Sequence, residues 1–169
     1  MSDAIAGPEA CPYVAGAGAF SPLEASVWLG LLRAHRQLVR ELDASLDRRH
    51  GLSLSALELL GRLAEEPDRQ LRLSRVAAAS GLSLSRVSRL VDELERRGLV
   101  ERHPCPDDAR AINARLTEAG ADLARAAQAT HAADVRARVF ERLDARHLAA
   151  LAEAFALLSP GEARAADAA

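Results

Sequence analysis

Residues 73–91, LSRVAAASGLSLSRVSRLV, place a small residue, a glycine and a serine at a spacing that few folds accommodate. Ala77 stands four residues before Gly81, Ser83 two after it, and Val87 and Leu90 follow at helical spacing. Two helices that cross steeply need a small side chain where they touch, and Ala77 supplies one. The turn between them needs a left-handed backbone position, least costly at Gly81. The second helix needs an oxygen for its first unpaired N–H groups, and Ser83 is a good N-cap. The stretch therefore reads as a helix-turn-helix. Its first helix covers about Ser74–Ser80, and its second runs from Ser83 to about Arg97, where Gly98 ends it.

The second helix separates its faces. Val87, Leu90, Val91 and Leu94 recur at i, i+3, i+4 and i+7 and form a stripe for burial. Ser85, Arg89, Asp92 and Arg96 fall opposite, with Arg86 and Ser88 on the flanks. The outward N-terminal half is thus Ser, Arg, Ser and Arg, the surface a recognition helix offers to base edges in the major groove. A plain amphipathic helix with a solvated basic face has the same pattern, so the segments that follow decide between the two.

After Gly98 the period changes. Leu99–His103 and Ala111–Thr117 are short and strand-like, with Ile112 and Leu116 on one face and Asn113 and Arg115 on the other. They flank PCPDDAR, residues 104–110, and predict a β-hairpin with a long, proline-stiffened tip. A loop beside a groove-reading helix lies over the adjacent minor groove, whose narrow A·T stretches attract an inserted arginine. Arg110 is placed for that, and Asp108 is placed to hold the guanidinium by a forked ion pair. In isolation the same residues are a surface pair worth under ~1 kcal/mol.

The remainder is helical. Ser21-Pro22-Leu23-Glu24 caps a long helix carrying Val27, Leu31, Leu38, Leu42 and Leu46 to about Arg49, closed by Arg48, Arg49, His50 and then Gly51. A second helix is expected from about Ser53 to Glu66, with Ser55 and Glu58 as a capping box and Pro67 as the stop. Thr117 caps another helix that runs to about Arg142. Asp144 starts a last one through Leu148, Leu151, Phe155 and Leu158, stopped by Ser159-Pro160-Gly161. The expected organisation is a flexible arm over 1–20, a dimerisation helix over 21–50, a winged helix-turn-helix lobe over 51–116, C-terminal dimerisation helices over 117–158 and a flexible tail over 159–169. The end helices have too few partners in one chain, so they are expected to pack together and against a second copy. The fold class is mainly α with a small β-hairpin wing.

Composition agrees. The chain is 49% hydrophobic but only 3% aromatic, so its apolar content is mostly Ala, Leu and Val, which favours helices. No apolar run is long enough for a membrane span, and the N-terminus has no basic start or apolar block of a secretory signal, so a soluble cytoplasmic protein is expected. The net charge of −2 argues against an indiscriminate nucleic-acid binder. Between Arg72 and Arg115, however, nine Arg face six acids, a local +3. All 22 basic residues are Arg; high-GC coding accounts for much of this, and Arg also suits forked contacts to phosphate and guanine. No Gly-rich phosphate loop, G-x-S-x-G or H-E-x-x-H is present, and His35, His50, His103, His131 and His147 lack metal-ligand spacing. An enzyme, a cofactor and a metal site are therefore not expected. Cys11 and Cys105 make no disulfide framework.

From about Ser21 to Leu158 the chain resembles a MarR-family transcriptional regulator. The resemblance is strongest over LVDELERRGLVERHPCPDDARAINARLTEAG, residues 90–120, which is similar to that family's recognition-helix end, its wing with a D-x-R element and its closing L-T-x-x-G. Asp108 and Arg110 match the D and R, while Ala109 departs from a frequent Arg. The resemblance implies an obligate homodimer on a pseudo-palindromic double-stranded DNA site. It also implies release by a small phenolic or aromatic ligand, or by thiol oxidation. Ser85, Arg86 and Arg89 are then expected at base edges, Arg75, Ser83 and Ser88 at phosphates, and Arg110, braced by Asp108, in the minor groove. Trp28 and His35, on one helix face, are candidates for a ligand pocket or else plain packing residues. Cys105 is a candidate redox residue if Arg102 or His103 favours its thiolate. Cys11 lies about ten residues too early for the family's dedicated redox sensors, so ligand release is favoured over oxidation. The alternatives are a thiol-responsive regulator of the same fold and a winged-helix module that binds protein.

Overall fold

The computed structural model describes residues 20–105 and 108–158, and of Asp108, Ala109 and Arg110 the backbone only. Most of the expected arm, with Cys11, and the expected tail lie outside the described residues. The first helix, α1, spans Pro22–His50. Its start is the expected capping box: the Ser21 N–H donates to Glu24 Oε2 at 2.6 Å and the Glu24 N–H to Ser21 Oγ at 3.3 Å. The chain divides into two compact units inside α1, after Glu41. In the first unit, Leu23, Val27, Trp28 and Leu31 stand exposed on α1.

The second unit begins at Leu42 with the last turns of α1 and continues through α2 (Leu54–Glu65), β1 (Gln70–Arg72), α3 (Leu73–Ser80), α4 (Leu84–Arg96), β2 (Val100–Cys105), β3 (Asp108–Leu116), α5 (Glu118–Arg138), a 3-10 turn (Phe140–Arg142) and α6 (Ala145–Leu158). Leu46, Leu52, Leu60, Leu63, Val76, Val87, Val91, Leu94, Val100 and Ala114 form one continuous core beneath α2, α3, α4 and the sheet. Burying such side chains contributes about 1.5–3 kcal/mol each and fixes how α4 lies on the lobe. The end of α1 is tied to this lobe by polar contacts. Asp43 Oδ1 accepts the Leu54 N–H at 2.8 Å, and Arg97 donates to the carbonyls of His50 at 3.1 Å and Gly51 at 2.5 Å. The arginine thus satisfies free carbonyls at the negative end of the helix.

The sheet is antiparallel in the order β1-β3-β2. Ala114 of β3, fully buried, faces Leu71 of β1 on one side and Arg102 of β2 on the other. Four local expectations need correction. The strand β1, three residues long, is added to the anticipated hairpin. The hairpin strands are longer than their alternation indicated: β2 reaches Cys105 and β3 starts at Asp108, with a register irregularity at Pro104/Cys105. Pro104 is tolerated because β2 is an edge strand. The cap of α2 is Ser53, whose Oγ accepts the Ala56 N–H at 3.1 Å, rather than Ser55. Finally, α5 stops at Arg138 and the chain tightens into the 3-10 turn before α6.

The L-T-x-x-G segment locks the sheet to α5. Leu116 is buried; the Thr117 hydroxyl donates to the Gly98 carbonyl at 2.8 Å and accepts the Gly120 N–H at 3.0 Å, while the Thr117 N–H reaches the Leu99 carbonyl at 3.2 Å. Gly120 sits so close to Leu99 that a Cβ there would run into the Leu99 carbonyl oxygen.

Candidate nucleic-acid interface

The turn between α3 and α4 has the anticipated geometry. Gly81 adopts φ 65° and ψ 14°, a left-handed position at the end of α3. Ser83 is extended, and its Oγ accepts the Arg86 N–H at 3.3 Å. Val87, Val91 and Leu94 are buried and Leu90 half-buried, so Ser85, Arg86 and Arg89 face solvent, as does Arg75 on α3. Among the described residues, Arg75, Arg86 and Arg89 make no ion pair, and three guanidinium groups stand ready for anionic or acceptor groups.

The serines differ. Ser83 is exposed, and a hydroxyl that accepts an N–H as a cap still has its own proton to donate. Ser85 Oγ lies 3.3 Å from Ser83 Oγ and is also exposed. Ser88 is half-buried and turned toward the wing, where its carbonyl and Oγ accept from Arg102 Nη2 at 2.9 and 3.1 Å. The backbone of Asp108 and Arg110 is in β3, with Asp108 opposite Cys105. The side chains expected to form the D-x-R pair lie outside the described atoms.

Arg102, whose role the local pattern does not disclose, joins α4 to β2. Its guanidinium pairs with Asp92 and, at 3.6 Å, with Glu95, in addition to the two bonds to Ser88; its N–H donates to Glu95 Oε1 at 3.1 Å. Two of the acids on α4 are thereby held by one guanidinium, which offsets half of their charge beside the surface that carries Arg86 and Arg89. Arg86 and Arg89 themselves flank a cleft of about 380 Å³ shared with Ser53 and Ser55 at the start of α2 and with Glu93.

The anticipated cationic neighbours of Cys105 are corrected. Arg102 is committed to α4, and His103 lies 3.2 Å from Glu101 Oε2. The guanidinium beside the thiol belongs to Arg72, whose Nη2 donates to Cys105 Sγ at 3.2 Å. Trp28 and His35, seven residues apart on α1, are both exposed. Among the described residues, no group of three His, Cys, Asp or Glu is arranged to hold a metal ion, and no helix is long and apolar enough to cross a membrane.

Comparison with known proteins is consistent along the chain. Residues 50–111 match a model of the MarR family. The transcriptional repressor MprA of Escherichia coli K12 is 31% identical over 75 residues, 44% of this chain and 43% of that protein, so the match spans less than half of the curated relative. The crystal structure of Sco3205, a MarR family transcriptional regulator from Streptomyces coelicolor in complex with DNA, is 34% identical with a TM-score of 0.77, covering 84% of this chain and 89% of that one. CouR from Rhodococcus jostii RHA1, bound to p-coumaroyl-CoA, is 27% identical with a TM-score of 0.67, covering 83% and 96%.

Proposed function

This chain belongs to the MarR family of transcriptional regulators, and from that premise we propose that it acts as a homodimeric repressor on a pseudo-palindromic operator. In this reading residues 21–50 and 117–158 form the dimerisation lobe and residues 51–116 the DNA-binding lobe. The observation that carries it is the outward face of α4. Arg86 and Arg89, with exposed Ser83 and Ser85, occupy the first turns of a helix whose opposite face buries Val87, Val91 and Leu94; neither arginine, nor Arg75 on α3, makes an ion pair among the described residues. Ser85, Arg86 and Arg89 then read base edges, Arg75, Ser83 and, with the least free reach, Ser88 contact phosphates, and Arg110 with Asp108 enters the minor groove. A protein-binding winged helix has no need of this cluster. The ligand-bound relative supports release by a small aromatic or phenolic compound, with Trp28 and His35 as candidate contacts.

The test is selection of the full-length protein on random duplexes, followed by anisotropy titration of the winner at several salt concentrations. A two-fold-symmetric site is expected, with affinity falling linearly in log–log form as salt rises, since each neutralised phosphate releases counterions. Arg89→Ala is expected to cost about 1–3 kcal/mol and to relax the preference at one position. Arg110→Ala is expected to weaken binding with an unchanged melting temperature. Recovery of no preferred sequence would refute the operator reading and leave a protein partner.

A further inference from the structure

From the first turn of α2 to the start of α5, only two large hydrophobic side chains among the described residues are exposed: Leu84, at 54%, and Ile112, at 38%. They come from different elements, the first residue of α4 and the wing strand β3, yet they line one cleft of about 380 Å³ together with Ser74, Ser88 and Ala111. Leu84 has Ser83 on one side and Ser85 and Arg86 on the other, so an apolar side chain interrupts an otherwise polar and cationic surface. A helix accepts almost any residue at its first position, and a half-exposed leucine adds little to the core. Local folding therefore does not require it.

The major groove presents hydrogen-bond donors and acceptors at every base pair and only one apolar group, the 5-methyl of thymine. We propose that Leu84 is a specificity-determining residue that packs on a thymine methyl in each half-site, with Ile112 closing the wing side of the same cleft. The inference rests on the proposed DNA-binding role and adds a base preference to it. The occupant follows from continuity with the arginine- and serine-bearing face of α4: a duplex that meets Ser85, Arg86 and Arg89 brings base edges to the neighbouring first turn.

The experiment uses the full-length chain and the duplex selected above, with each thymine replaced in turn by 2′-deoxyuridine, which keeps base pairing and removes only the methyl. For the wild type, one thymine per half-site is expected to lose about fourfold in affinity on replacement, the value of one buried methyl or methylene group. Leu84→Ala is expected to bind the thymine duplex more weakly and to be indifferent to deoxyuridine at that position, while sensitivity elsewhere persists. Leu84→Met, apolar and of similar volume, is expected to keep the wild-type response. Indifference of the wild type to every replacement would overturn the assignment even if Leu84→Ala binds weakly, because the leucine would then pack on deoxyribose. A Leu84→Ala protein with the full wild-type deoxyuridine response would also overturn it. Failure to select any preferred duplex would instead overturn the regulator reading on which this one stands.

Discussion

Gly120 tests how far a single hydrogen atom can be diagnostic. In the first turn of a 21-residue helix, alanine is ordinarily better than glycine by up to about 1 kcal/mol. Here the added Cβ meets the Leu99 carbonyl oxygen, a backbone atom that cannot swing away cheaply, as well as the tip of the Leu116 side chain at 2.8 Å. Overpacking of this kind costs ~1–3 kcal/mol, so the sign should reverse. Gly120→Ala is expected to lower the thermal midpoint by several degrees; an unchanged or higher midpoint would show that α5 can slide off the turn at Leu99. Asp134 is the second case. It is buried at 8% exposure, and its carboxyl is held below the usual aspartate range by the Ser45 hydroxyl and, against the opposing effect of burial, by Arg138 at 2.7 Å and Arg49. A depressed folded-state pKa gives stability that is present above the unfolded pKa of about 4 and lost as pH falls through the folded value. Asp134→Asn should therefore melt below the wild type at pH 7, and the gap should close as pH drops below about 4. A gap independent of pH would mean that shape, not charge, is what the site requires.

At the scale of elements, the polar part of the joint between α4 and the wing centres on one side chain. Arg102 reaches Asp92, Glu95 and Ser88 from the middle of β2, and it is only a quarter exposed. Its removal loosens the wing against α4, leaving the backbone bond to Glu95 and the shared core in place, and exposes two carboxylates next to the proposed phosphate path. Arg102→Ala is expected to weaken operator binding by at least tenfold, with a steeper loss than Glu101→Ala, an exposed neighbour on the same strand; circular dichroism should retain the helical signal. Equal binding of Arg102→Ala and wild type would show the joint to be ornamental. The same residue marks where sequence reading stops. The turn between α3 and α4 was legible because Gly81 and Ser83 act on their own backbone and immediate neighbours. Arg102 was not, since its partners lie seven to fourteen residues away across a turn. β1 was hidden for a similar reason: Gln70-Leu71-Arg72 has no strand pattern of its own and is extended through pairing with Asn113, Ala114 and Arg115. With Ser53 and Ser55 two residues apart, either suits a cap by type, and Asp43, bonded to the Leu54 N–H from α1, is the tertiary contact that accompanies the choice of Ser53.

For the whole molecule, the unanswered demand is apolar surface. α6 buries none of its fourteen residues, and Leu151, Phe155, Leu157 and Leu158 all stand exposed along it; Leu23, Val27 and Leu31 repeat at four-residue spacing on the exposed first part of α1. Stripes of this kind on amphipathic helices ordinarily mark contact with another surface, because water-exposed patches of this extent oppose solubility. The proposed dimer supplies that surface in the form of a second copy. Light scattering after size exclusion should then give twice the chain mass of 18.0 kDa at micromolar concentration. Placing two charges in the stripe, Leu151→Glu with Phe155→Glu, should return the mass to a single chain, since burying unpaired carboxylates costs far more than the interface gains there. The consequence extends to DNA. A dimer that holds two recognition helices on one symmetric site gains the second contact at high effective concentration, so the monomeric double variant should lose 10²-fold or more in operator affinity while its affinity for an isolated half-site stays near that of the wild type. A double variant that remains dimeric would move the interface elsewhere. One that is monomeric yet binds the full site undiminished would separate DNA recognition from assembly and remove the need for a palindromic operator.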